Sequence, residues 1–168
     1  MDGVASYVAM STVSRINHVS VSAKNLAASV AFYVELFDAV PVATPDFGLP
    51  VQWLALGASQ VHLFEADVEP LSHHHFAVTV AELEPVFPRA EALGCFDYEA
   101  FGNHLVELPG DLAQTYVRGP AGNLVEIDTP GASRLPEPLR AQLERLEDMR
   151  PQNGENMAAR LNPTGKPT

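Results

Sequence analysis

Cysteine is nearly missing from this sequence: Cys95 is the only one among 168 residues. An intramolecular disulfide is therefore impossible, and a zinc site built on paired thiolates is excluded, because it needs a second cysteine at short spacing. Basic side chains are also scarce, 10 against 21 acidic ones, for a formal net charge of -11. That balance does not suit a basic groove for nucleic acid or a polybasic anchor for anionic lipid. No apolar run approaches the roughly 20 residues that span a bilayer, and the opening MDGVASYVAM lacks the basic start and apolar centre of a secretory signal. These absences point to a cytoplasmic protein with neither a nucleic-acid nor a membrane partner. A chain of this length buries roughly two thirds of its unfolded surface, so its core needs no structural metal and any metal present is functional.

What the sequence does contain is a repeat. The segment HVSVSAKNLAASVAFYVELFDAV, starting at His18, overlays HFAVTVAELEPVFPRAEALGCFD, starting at His75, at an offset of 57 positions. Such self-similarity means two copies of one supersecondary unit. Each copy opens with an alternating run that reads as a strand: Val19 and Val21 in the first, Phe76, Val78 and Val80 in the second. Helical spacing follows, with Leu26, Val30, Tyr33 and Phe37 behind the N-cap candidate Asn25, and Leu83, Phe87, Ala90 and Leu93 ahead of Gly94. Pro85 suits the first turn of the second helix, and Pro88 kinks that helix or delays its start. Short β-prone runs come next, at 38–43, 51–56 and 60–65 and again at 96–101, 112–118 and 123–128. The final hairpins overlay at an offset of 64, so the second copy carries about seven extra residues, placed in the irregular stretch FGNHLVELPGD.

The chain thus divides into a leader at 1–14, a paired-module domain at 15–130 with modules at 15–66 and 73–130, and a C-terminal extension at 131–150. Leu139, Leu143, Leu146 and Met149 form an apolar stripe that predicts a helix ending before Pro151. Residues 151–168 have little apolar content and no periodicity, and read as a flexible tail. Charge follows the same division: residues 15–130 hold 15 acidic and 4 basic side chains, and residues 131–168 hold 5 and 6.

The repeat makes His18 equivalent to His75 and His62 equivalent to Glu126, and all four are metal-ligand types. Each has apolar neighbours along its strand, such as Val61 and Leu63 beside His62 and Val125 and Ile127 beside Glu126. Strand alternation turns those neighbours to the opposite face. A carboxylate in such a strand is costly unless paired or coordinated. A pseudo-twofold between the copies would gather three imidazoles and one carboxylate, a set suited to a divalent first-row metal.

The segments INHVSVSAKNLAASVAFYVELFDA, HHHFAVTVAELEPVFPRAEALG and YVRGPAGNLVEIDTP resemble the vicinal oxygen chelate superfamily, also called the glyoxalase, bleomycin resistance and extradiol dioxygenase superfamily. The resemblance covers residues 15–130, and the hairpin carrying Pro120, Gly122, Asn123 and Glu126 is its most specific piece. It implies an α+β fold in which two βαβββ modules form an open, incompletely closed mixed β-barrel around a metal site. By motif position His18, His75 and Glu126 match the family's most regular ligands, and His62 matches the fourth. The implied cofactor is a divalent ion (Fe, Zn, Ni, Mn or Co), the implied partners are a small oxygenated substrate and a second copy of the chain in a homodimer.

Departures from the pattern bear on the reaction. Bacterial proteins similar to glyoxalase I carry Glu where His62 stands, which weakens that assignment and leaves His62 as a ligand or a general base. Extradiol dioxygenases use two His and one Glu, and Tyr116 stands at their spacing of ten before Glu126, although Gly119 replaces a polar residue of that signature. Fosfomycin-resistance transferases surround a phosphonate with cations, and this domain has only Arg15, Lys24, Arg89 and Arg118. Tyr116 is accordingly a candidate catalytic residue beside His62. Arg118, which shares its strand face, and His104 and Glu107, in the longer segment of module two, are candidate substrate contacts. Trp53, Phe47 and Phe101 read as core or pocket wall, and His73 and His74 as a polar strand entry. Two functions are compatible with this reading: a metal-dependent dioxygenase-like or glyoxalase-like enzyme, and a metal-free binding protein similar to the bleomycin-resistance members.

Overall fold

A computed structural model describes residues 16–102 and 104–159. The leader at 1–14 and the last part of the expected tail, from 160 onward, lie outside them. Module one runs β1 (His18–Ala23), α1 (Leu26–Phe37), β2 (Val40–Val42), β3 (Val51–Leu56) and β4 (Ser59–Glu65). Module two repeats this order with β5 (His75–Thr79), α2 (Phe87–Leu93), β6 (Val106–Leu108), β7 (Leu112–Arg118) and β8 (Leu124–Pro130). The spatial order β1-β4-β3-β2 in one sheet recurs as β5-β8-β7-β6 in the other. In each the first strand runs parallel to the last, and the remaining pairs are antiparallel. The two sheets remain separate, so the paired modules form an open structure and no closed barrel.

The helices begin and end where their sequences dictate. Asn25 sits in extended backbone, and its side chain accepts from the Ala28 N–H at 2.9 Å, satisfying a donor that the first turn of α1 leaves free. The start of α2 is delayed to Phe87: Leu83 and Val86 are buried in the preceding turn, and Pro88 occupies the first helical turn, where its missing N–H costs nothing. Gly94 ends α2 in the left-handed region at φ 59°, a conformation that favours glycine. The buried faces of both helices join one core, in which Tyr33, Leu36, Leu54 and Leu63 of module one belong with Leu83, Phe87, Val117 and Val125 of module two. Full burial of each such aliphatic side chain contributes about 1.5–3 kcal/mol.

Hairpin residues fasten the seam between modules. The Asn123 amide donates to the Ser22 carbonyl at 2.6 Å. At position 119 a side chain would place its Cβ 3.3 Å from the Phe32 ring, a tight contact that glycine avoids.

Two stretches differ from the sequence expectation. The edge strand of module two is Val106–Leu108, inside the stretch read as irregular, and residues 96–101 contribute only a single bridge between Phe96 and Val117. Asp97 turns the chain away from the sheet there by accepting from the Glu99 and Ala100 N–H groups at 3.2 and 2.8 Å. The C-terminal extension is also no continuous helix. It forms a 3-10 turn (Ala132–Arg134), α3 (Glu137–Arg140), β9 (Glu144–Arg145) and α4 (Leu146–Met149). The open edge of β6 supplies the reason: β9 pairs with it in parallel, Val106 opposite Glu144 and Glu107 opposite Arg145, covering backbone groups that would otherwise be unpaired. A further turn, α5 (Gly154–Met157), lies in the segment expected to be tail.

Candidate metal centre

In module two, strand register decides which side chains meet. Tyr116 lies directly opposite Glu126 across the β7–β8 ladder, and Ala77 lies opposite Glu126 on β5. His75 is two residues before Ala77, so it shares that face. The imidazole Nε2 of His75 approaches Glu126 Oε2 at 3.2 Å, and the Tyr116 hydroxyl donates to the same oxygen at 2.6 Å. Gln114 in turn donates its amide N–H to the Tyr116 hydroxyl. The Phe101 ring meets His75 edge-on at 5.6 Å and lies 4.5 Å from the Tyr116 ring. Glu126 is only 5% exposed, so this is an interior carboxylate group with the Tyr116 hydroxyl as its donor.

The tautomer of His75 matters most. Its Nδ1 lies 2.9 Å from the His73 carbonyl oxygen, which can only accept, so Nδ1 carries the proton. In the neutral ring Nε2 is then a bare lone pair pointed at a carboxylate oxygen. That contact is favourable only when a cation stands between the two groups or when Nε2 is itself protonated. Tyr116 keeps its proton, because burial pushes its hydroxyl well above the usual range and the neighbouring Glu126 pushes it further. Asp128, two residues beyond Glu126 and 2% exposed, is raised mainly by burial, lowered by a hydrogen bond with Thr79 and raised again by Glu126.

Module one presents the equivalent pair. On β1 and β4 the rings of His18 and His62 stack at 4.1 Å. Trp53, directly opposite His62 on β3, stacks on it at 4.2 Å with planes only 6° apart. His62 is therefore sandwiched between two rings, and its Nε2 meets the Gln60 amide oxygen at 2.9 Å. Burial lowers the basicity of His62, and the neighbouring His18 lowers it further, which favours the neutral imidazole that ligands and general bases require.

The four residues singled out by the repeat thus come together as two pairs. His18 and His75 both line a cleft of about 910 Å³ between β1 and β5. Among the described residues no group of three or more His, Cys, Asp or Glu side chains is arranged to hold a metal ion. The single four-donor centre expected from the pseudo-twofold is therefore not assembled in this arrangement, because β1 and β5 do not pair and the cleft separates their edges. The donor types present, three imidazoles and one carboxylate, suit a first-row divalent ion, while the stacked His18 and His62 rings, 14° from parallel, do not converge on a common point.

The other candidates are placed elsewhere. The Arg118 guanidinium is engaged by Asp97 at 2.7 Å and by the carbonyls of Gly122 and Ser72 at 2.7 and 3.3 Å, which makes it a latch for the hairpin. His104 packs among Phe87, Phe96 and Tyr98, with Nε2 on Gln142 at 3.2 Å. Glu107 alternates with Val106 and Leu108 along β6, and its side chain pairs with Arg145 at 3.6 Å. None of these three contacts the four ligand candidates. Sequence reasoning missed Gln114 and Asp128, although both are legible in hindsight as same-parity neighbours of Tyr116 and Glu126 along their strands. The clamping role of Trp53 depends on β3–β4 register, which no single segment reveals.

Comparisons with known proteins agree with this architecture. The profile of the Glyoxalase/Bleomycin resistance protein/Dioxygenase superfamily matches residues 15–127. No curated protein matches the sequence. Similar solved structures include a protein from Bacillus anthracis assigned to the glyoxalase family, at 20% identity and a TM-score of 0.58, covering 71% of this chain and 98% of that one. Lactoylglutathione lyase from Agrobacterium tumefaciens is 23% identical, with a TM-score of 0.55 over 71% of this chain and 96% of its own. The fosfomycin resistance protein FosX from Listeria monocytogenes is 18% identical, with a TM-score of 0.60 over 69% and 91%. At these identities the likeness concerns the fold.

Proposed function

Because the chain belongs to the glyoxalase/bleomycin resistance protein/dioxygenase superfamily, we propose that it is a metal-dependent enzyme acting on a small substrate through two adjacent oxygen atoms. The single observation that carries this is the His75 Nε2 facing the buried Glu126 carboxylate at 3.2 Å while its Nδ1 is engaged by the His73 carbonyl. His75 and Glu126 would hold the ion (Fe, Zn, Ni, Mn or Co), and His18 and His62 would complete the set from across the cleft, His62 as ligand or as general base. The chemistry such an ion supplies is Lewis-acid polarisation of the substrate oxygens. The chain's own residues prepare that site. Tyr116 donates to Glu126 Oε2 and fixes the orientation of the carboxylate, Gln114 orients the Tyr116 hydroxyl, and the Trp53 stack holds the neutral His62 ring in place. The reading includes a homodimer, which light scattering on the purified chain tests directly.

Oxygen uptake with catechols after anaerobic loading with Fe(II), compared with isomerisation of a hemithioacetal after loading with Ni or Zn, assigns the reaction. Uptake places the protein in the dioxygenase branch, and isomerisation places it in the other. Turnover that survives His75→Ala unchanged would contradict the site.

One observation favours a second reading. The donors stand in two pairs, and the face around His62 is aromatic, with Phe47 lying 5.9 Å from Trp53 and 6.2 Å from Phe64. In a domain this acidic, that face suits metal-free retention of a cationic aromatic compound, as in a bleomycin-resistance-like binding protein. A phosphonate substrate finds less support, because Lys24, Arg89 and Arg118 are each committed to a carboxylate, on Glu69, Asp38 and Asp97.

A further inference from the structure

The C-terminal extension reaches the same sheet face as Tyr116. Along β7, Ala113, Thr115 and Val117 point into the core, and Gln114 and Tyr116 point to the other side. Leu139 and Leu143 of the extension pack on the core side, whereas Leu146 and Met149 lie with Gln114 and Tyr116 around a cavity of about 560 Å³. Two backbone pairs of β9 on β6, the Glu144 N–H donating to the Leu105 carbonyl at 2.9 Å, and Arg145 against Glu107 and Glu147 hold this strap in place. Phe101, Val106 and Leu108 make the remaining wall apolar, and Arg150 stands at the rim.

Arg150 is unusual in this molecule. Among the described residues, Lys24, Arg89, Arg118, Arg140 and Arg145 all pair with carboxylates, and only Arg134 and Arg150 have no ion-pair partner. Arg134 stands on the 3-10 turn, away from the cavity. An unpaired guanidinium beside an apolar cavity, in a protein of net charge -11, offers a small anion an attraction that the surrounding acidic surface does not.

We propose that the strap is part of the substrate site. Leu146 and Met149 enclose the apolar body of the ligand, Arg150 binds an anionic group on it, and its other end lies against Tyr116, the cavity-lining neighbour of Glu126, so the ligand class is a small apolar carboxylate. This rests on the reading of the His75–Tyr116–Glu126 face as the reacting end, and it predicts that the extension, and not the paired modules, sets specificity.

Calorimetric titration of the full chain with 3-phenylpropionate and with its neutral amide tests the proposal. The carboxylate is expected to bind about tenfold more tightly than the amide, in line with a charge-assisted hydrogen bond, and the preference is expected to shrink as salt rises. Arg150→Gln should bring the two affinities together without changing the folded state, and Met149→Trp should fill the cavity and weaken both. Equal affinities in the wild type, no binding of either probe at millimolar concentration, or a preference that survives Arg150→Gln would overturn it. Metal titration of the same preparations separates the two claims. Carboxylate preference without metal uptake overturns the metal centre alone, and metal uptake without carboxylate preference overturns the role of the strap alone.

Discussion

At the scale of single residues, the candidate site is marked by partners that bear on protonation. The His73 carbonyl dictates the tautomer of His75, Glu126 and burial keep Tyr116 protonated, and burial beside His18 keeps His62 neutral. Tyr116→Phe should therefore weaken divalent-metal affinity about tenfold, as loss of a hydrogen bond to a ligating carboxylate does, measured by calorimetric titration. His62 has a testable linkage in metal-free protein. Its folded pKa lies below the ordinary value of about 6.5, so the unfolded chain binds the extra proton first. Its contribution is complete above that value and is lost as pH falls through it towards the folded pKa. Urea unfolding across this window should show a slope that His62→Gln reduces. Elsewhere, the Tyr33 hydroxyl is buried, 2% exposed, with no hydrogen-bond partner, so Tyr33→Phe should stabilise the protein, by about 1 kcal/mol, read from urea midpoints. The four ligand types were legible in the sequence because the repeat aligned them, and their pairing was not, because it depends on strand register between distant segments.

At the scale of elements, local chemistry was decisive where it was unopposed. Asn25 and Gly94 mark helix ends in the sequence and in the structure, and Asn25→Ala should cost about 1 kcal/mol of stability in chemical denaturation. The misread elements share a cause. Residues 96–101 look β-prone, yet Asp97 is bound to Arg118 and to the following N–H groups, and the edge position passes to Val106–Leu108. The stripe from Leu139 to Met149 fits a helix, but the free edge of β6 captures Glu144 and Arg145 and splits it, so that Leu139 and Leu143 pack on the core side and the half-buried Leu146 and Met149 line the cavity beside Tyr116. In both cases a tertiary partner overrides a sound local pattern.

At the scale of the whole molecule, charge and architecture divide along the same line. The paired modules carry the whole deficit of -11, whereas the segment after residue 130 has one more basic than acidic side chain and brings Arg150 to the cavity beside Tyr116. Polyanions are repelled by such a domain, while a single carboxylate finds one cation at the rim. No described helix is long and apolar enough to cross a membrane. The two modules face each other across the cleft shared by His18 and His75, and an ion held there would join what the described contacts leave as two pairs. Metal content after loading with Fe, Mn, Ni, Co or Zn and desalting measures this directly, on the wild type and on His75→Ala, with circular dichroism to confirm that both are folded. The wild type is expected to retain one of these ions stoichiometrically and the folded variant to lose it; a wild type that retains none of the five, or a variant that retains as much, would contradict the centre.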